Sequence, residues 1–158
     1  MRPAGPRSAV KALVVRDGQV LMNHYRDGDD GHDVYSPPGG GQEHGETCEQ
    51  ALRRECREEI GVDVTVHTLA CVYEILDVPP GSWGSATSPF HQVNIAYWCG
   101  LPSGGEPGLG PDPDPRQIGV RWLPIADLAD YEVRPLELGR WLRSDPGSRP
   151  VGIGVTGL

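Results

Sequence analysis

The spacing of apolar positions changes several times along the chain, and each change marks an element. Val10 to Val15 and Val20 to Met22 are short aliphatic runs on either side of Arg16-Asp17-Gly18-Gln19, and an Asp-Gly pair between two such runs predicts a β-hairpin. From Cys48 the period lengthens to that of a helix. At about 100° per residue, Cys48, Ala51, Leu52, Cys56 and Ile60 fall on one arc, with Arg53, Arg54 and Arg57 on the other side. Thr47 and Gln50 have the spacing of a capping box, and Gly61 supplies the stop. Val64 to Val78, Phe90 to Cys99 and Ile118 to Leu123 read as further strands. Ile125 to Asp130 and Arg134 to Arg143 read as helical, the second carrying Leu136, Leu138, Trp141 and Leu142.

The first helix breaks its own pattern. Glu59 projects into the middle of the apolar arc, Glu55 lies one turn before it on the same face, and Glu58 sits at the border. Carboxylates clustered on a half-buried surface repel, and desolvation costs several kcal/mol per ion unless a counter-charge is present. A divalent cation removes both costs. Oxygen donors with no neighbouring His or Cys favour Mg²⁺ or Mn²⁺ over zinc, and Mg²⁺ commonly binds through a few carboxylates and a substrate's phosphates. A solvated acidic helix face is the plainer alternative. The preceding Pro37-Pro38-Gly39-Gly40-Gly41 turns the weighting, because it must bend sharply with its backbone groups unshielded, which makes a cradle for metal and phosphate.

Taken in order, Gly40, Glu46, Arg54-Glu55, Glu58-Glu59 and Gly61-Val62 stand at fixed distances, with Cys56 and Val62 at the two apolar places. This stretch closely resembles the Nudix box and fills each of its fixed positions over residues 40 to 62. The resemblance implies an α/β fold, the Nudix-type α/β/α sandwich with a mixed β-sheet, spanning the chain as a single domain with its core at about residues 8–144 and a tail at 145–158. It implies a pyrophosphohydrolase that cleaves a nucleoside diphosphate linked to another moiety, whether a nucleoside triphosphate, a nucleotide sugar or a dinucleoside polyphosphate. Glu55, Glu58 and Glu59 match the family's metal and catalytic carboxylates, a carbonyl of Gly39 or Gly40 completes part of the shell, and Arg54 with Glu46 matches its structural pair. Mg²⁺ is the expected cofactor, with Mn²⁺ as a substitute. Where many relatives place a further glutamate before the last strand, this chain has Gln117, which leaves the helix carboxylates, Glu106, Asp112 or Asp114 to deprotonate water. The alternative is a silent nucleotide-binding Nudix domain, which would be expected to lose a metal carboxylate.

Substrate selection is expected in the loops, two of which, Pro79 to Pro89 and Pro102 to Pro115, are rich in Gly and Pro. Trp83 is either a stacking face for a base or a local packing plug, and Tyr25, Arg26 and Tyr35 precede the glycine turn within reach of a base or phosphate. On the strand that begins His91-Gln92-Val93-Asn94, alternate residues either line the substrate cleft or, the plainer expectation, Val93, Ile95 and Tyr97 point into the core. The histidines lack ligand spacing. Cys48, Cys56, Cys71 and Cys99 show no close pairing and read as small core residues, consistent with a reducing cytoplasm. A net charge of −8 argues against a nucleic-acid polymer as partner, and no run reaches membrane-spanning length. The hairpin edge and apolar strands offer a surface for a homodimer.

Overall fold

A computed structural model describes residues 5–76 and 90–156. The predicted hairpin is present: β1 (Arg7–Arg16) and β2 (Gln19–Asp27) meet at Asp17 and Gly18, whose φ values of 51° and 73° match the right-handed twist of the strands. The two strands are paired only beside the turn, at Val15↔Val20 and Arg16↔Gln19. Beyond it they part, and the cleft described below opens in the gap.

Each strand builds its own half of a mixed sheet. β1 runs parallel to β6 (His91–Gly100) and antiparallel to the three-residue strand β4 (Gly39–Gly41). β6 pairs with β5 (Thr65–Leu76), and β5 with the edge strand β8 (Gly152–Thr156). β2 lies between β3 (His32–Ser36) and β7 (Gln117–Pro124). β1 is buried on both faces from Ala9 to Val14, because helices cover both sides of the sheet. α1 (Cys48–Ile60) packs Ala51, Leu52, Cys56 and Ile60 against Val10, Ala12 and Val14. On the opposite side α2 (Leu136–Arg143) and the 3₁₀ turn Ile125–Asp130 bring Leu138, Leu142 and Leu128 onto Leu13, Val20 and Met22. The result is the expected α/β/α sandwich.

The capping box is formed, with the Gln50 N–H donating to Thr47 Oγ1 (3.1 Å) and the Thr47 N–H to Gln50 Oε1 (2.9 Å), and Gly61 ends the helix at φ 70°. Strands β3, β4 and β8 have no clear signal in the sequence: one is polar, one is all glycine and one is half glycine, so only their partners make them strands. Cys56, Cys71 and Cys99 are buried, and burial pushes the Cys71 and Cys99 thiols up to about 12. Among the described residues no helix is long and apolar enough to cross a membrane.

Candidate active site

The last two turns of α1 face the mouth of the gap between β1 and β2. A cleft of about 300 Å³ opens there, lined by Glu55 and Glu59 of α1, Lys11 and Arg7 of β1, Tyr25 of β2 and the glycines of β4. Glu59 is 7% exposed, which is the burial its place on the apolar arc requires. Its Oε2 accepts from Asn23 Nδ2 (2.7 Å) and from the Gly39 N–H (2.9 Å). Burial raises its pKa to about 7, against the pull of Lys11, the Gly39 amide and Asn23. Lys11 is buried beside it and donates to the Gly39 carbonyl (3.2 Å), its pKa lowered by burial and partly restored by Glu59 and Glu55. The ammonium is thus an internal counter-charge.

The glycines of β4 are required by close approach. Gly39 has φ 138°, and a Cβ there would run into the Val10 carbonyl. A Cβ at Gly40 would occupy the space of the Glu55 carboxylate, and one at Gly41 that of the Arg7 guanidinium. Three side-chain-free residues in succession let two charged groups lie directly on the backbone.

Arg54 organises the remaining carboxylates. Its guanidinium forks onto Glu46 (Nε 2.6 Å, Nη2 3.0 Å), holds the Gly41 carbonyl (3.0 Å), and reaches Glu55 (2.7 Å) and Glu58 (3.3 Å) through Nη1. Glu46 also accepts from the Glu43 N–H, and these contacts, led by Arg54, lower its pKa to about 2. This half-buried bidentate network is far from a lone surface ion pair. Among the described residues no three acidic, histidine or cysteine groups stand together at metal-ligand spacing. Arg54 engages one oxygen of each carboxylate, Oε1 of Glu55 and Oε2 of Glu58.

The C-terminal carbonyls of α1 are satisfied by a loop far along the chain. The N–H groups of Gly108, Gly110 and Asp112 donate to Ile60 (3.1 Å), Glu59 (2.9 Å) and Glu58 (3.0 Å) in turn, and Gln117 Nε2 donates to the Glu59 carbonyl as well (3.0 Å). A Cβ at Gly110 would strike the Glu58 carbonyl. The loop is fixed to the helix end, and it brings Asp112 and Asp114 into the cleft. Glu106 stays outside, paired with Arg16 at the surface (3.4 Å). Gln117 is a buried tether between helix and strand.

Three sequence assignments are corrected. Tyr35 lies in the core on the other face of the sheet, stacked on His24 at 4.8 Å with its hydroxyl accepting from Arg121 Nη1 (3.0 Å). Arg26 is exposed and pairs with Asp33. Both belong to the strand phase opposite Asn23 and Tyr25, so they cannot reach the cleft. Tyr25 does line it, with its hydroxyl accepting from Asn23 (3.2 Å). On β6 the phase is also reversed: Gln92, Asn94 and Ala96 are the buried set, and Val93, Ile95 and Tyr97 are only partly buried. Trp83 and the whole Pro79 to Pro89 loop lie outside the described residues. Sequence reasoning passed over Lys11, Arg7 and Asn23, and it named Gln92 only within a strand whose alternate residues could line the cleft. A lysine inside an apolar strand was the one available signal.

The NUDIX domain model matches residues 5–142. The chain belongs to the NUDIX domain family. It is thereby a hydrolase of pyrophosphate bonds. The MutT NUDIX hydrolase from Burkholderia pseudomallei is 28% identical over 77% of this chain and 85% of its own, with a TM-score of 0.58. A NUDIX hydrolase from Nitrosomonas europaea superposes with a TM-score of 0.67 at 20% identity, covering 99% of this chain and 82% of its own. A UDP-X diphosphatase superposes at 0.60 and 18% identity, over 99% of this chain and 70% of its own. No curated protein matches the chain. The NUDIX match takes in the glycine strand, α1 and the loop that fastens the helix end, so all the groups that line the cleft lie within it.

Proposed function

We propose that this NUDIX protein is a divalent-metal-dependent pyrophosphohydrolase whose substrate is a nucleoside diphosphate linked to a further group, cleaved by attack of water at phosphorus. The observation that carries this reading is the meeting of Glu55 and Glu59 with Lys11 and Arg7 over a strand of bare glycines, inside one cleft. Carboxylates alone would repel a polyphosphate, and cations alone would bind it without activating water.

The donor set fits a hard cation: Glu55, Glu58, Glu59 and a carbonyl of Gly39 or Gly40 are all oxygen ligands, and Mg²⁺ or Mn²⁺ is the matching choice. Such an ion, when bound, neutralises charge on phosphoryl oxygens and acidifies water. The chain's own groups do the rest. Asn23 and the Gly39 N–H hold Glu59 in one orientation, and Arg54 does the same for Glu55 and Glu58. Lys11 and Arg7 supply positive charge along the substrate's phosphates. Gln117 cannot accept a proton from water, so that role falls to a cleft carboxylate, for which Glu55, Glu59, Asp112 and Asp114 are in place.

The test is product analysis with Mg²⁺ or Mn²⁺ on nucleoside triphosphates, nucleotide sugars and dinucleoside polyphosphates, with Glu59→Gln in parallel. A nucleoside monophosphate product that disappears in the variant supports the reading. Turnover retained in Glu59→Gln at saturating Mg²⁺ sinks it. Tight binding of one compound with no turnover replaces it with a silent binding domain.

A further inference from the structure

The cleft continues from Lys11 along one face of the sheet. Strand register sets Arg7 of β1 beside Gln92 of β6, and Gln92 beside Ile75 of β5, in one transverse row. Lys11 stands four residues along β1 from Arg7, about 13 Å at the rise of an extended strand. Lys11 and the row shared by Arg7 and Gln92 are therefore separated by roughly the reach of an extended nucleoside diphosphate. At the far end Ile75 and Phe90 provide apolar surface, and Gln92, 8% exposed, contributes an amide to the lining.

That amide has an unusual setting. Gln92 Nε2 donates to Asn94 Oδ1 (2.7 Å), and Asn94 is fully buried with its Nδ2 lacking any partner among the described residues. A buried amide pair with an unmet donor is costly to fold and contributes nothing to packing that an aliphatic pair would not. Its bond to Asn94 fixes which end of the Gln92 amide faces the cleft. A pinned amide presents its carbonyl and remaining N–H in one order, complementary to a base edge with a donor and an acceptor side by side. Adenine and cytosine carry the donor on the exocyclic amino group and the acceptor on the ring nitrogen, and guanine (O6, N1–H) and uracil (O4, N3–H) carry them in the opposite order on the side of the exocyclic oxygen.

We propose that Gln92, backed by Asn94, reads the hydrogen-bonding edge of a nucleobase held against Phe90 and Ile75, and sorts amino from oxo bases. The inference rests on the nucleotide reading of the cleft. It makes the nucleoside, not the group beyond the diphosphate, the part of the substrate that this end of the cleft recognises.

The experiment is calorimetric binding of AMP, CMP, GMP, UMP and ribose 5-phosphate to the full chain, repeated with Glu59→Gln, Gln92→Leu and Gln92→Asn, alongside kcat/KM for the matching triphosphates with Mg²⁺. The expected result is a split of at least about tenfold between amino and oxo bases, retained in Glu59→Gln and reduced below about threefold in both Gln92 variants, with ribose 5-phosphate unaffected. Gln92→Asn keeps the polarity of the site while withdrawing the amide, so it serves where the leucine variant does not fold. A split that survives in Gln92→Asn overturns the proposal, as does wild-type protein that binds all four bases equally or binds ribose 5-phosphate as tightly as the nucleotides. If no nucleotide is hydrolysed but the Gln92-dependent split in binding persists, the hydrolase reading falls and base reading stands.

Discussion

Glu59 carries the sharpest expectations at the residue scale. Its folded pKa of about 7 lies above the ordinary carboxylate value of 4.5, so between those limits the folded chain holds a proton that the unfolded chain has released. Stability in the presence of a chelator should therefore fall as pH rises from about 4.5 to about 7 and level off above. The amplitude is about 3 kcal/mol. Thermal melts across this range should show the slope in wild type and lose it in Glu59→Gln. Glu46 acts with the opposite sign in a separate window. Its pKa is held near 2 by Arg54, so the stability it lends is lost only as pH falls from about 4.5 toward 2. Arg54→Lys keeps the charge but not the fork that joins Glu46, Gly41, Glu55 and Glu58. It should reduce kcat by about 10- to 100-fold with a smaller change in KM, because it misplaces carboxylates rather than removing a substrate contact. Steady-state kinetics with Mg²⁺ check this.

At the scale of elements, the loop bound to the end of α1 is the joint on which the site depends. Gly110→Ala places a methyl group against the Glu58 carbonyl, whereas Gly108→Ala points into open space. The first should cost about 1–3 kcal/mol in denaturant titration and lower kcat, since the turn that carries Glu58 and Glu59 must shift. The second should leave both within error. Thr47→Ala at the other end of the helix removes the capping oxygen and should cost about 1 kcal/mol without touching kcat. Much of α1 was legible in the sequence, cap, stop and buried glutamate alike, because an isolated helix is governed by neighbours within four residues. The loop across its end was not. Its three N–H groups meet carbonyls about fifty residues away, and no local pattern encodes that pairing.

For the molecule as a whole, the segment after α2 closes the second layer. Arg149 lies over the Trp141 ring (4.9 Å) and near that of Trp98 (6.0 Å), donates to the carbonyls of Trp141 and Leu142, and sits beside the Pro150 carbonyl that accepts from Trp141 Nε1. β8 then covers the edge of β5. A chain ending at Ser144 should lose thermal stability by several degrees and self-associate through the bared edge of β5, seen as a lowered melting midpoint and faster sedimentation.

The sequence by itself determined the hairpin, the capped helix, the carboxylates at Glu55, Glu58 and Glu59, and the Arg54–Glu46 pair, since each is set by spacing along a short stretch of chain. Tertiary structure alone decided where β1 and β2 separate, and hence that Lys11 and Asn23 meet Glu59 from positions 48 and 36 residues away. It also decided strand phase. A shift of one residue exchanges the two faces of a strand, which is why Tyr35 and Arg26 turned away from the cleft and Gln92 turned into it. Local periodicity states that residues alternate, but which alternate set faces the cleft is fixed only when both faces of the sheet are packed.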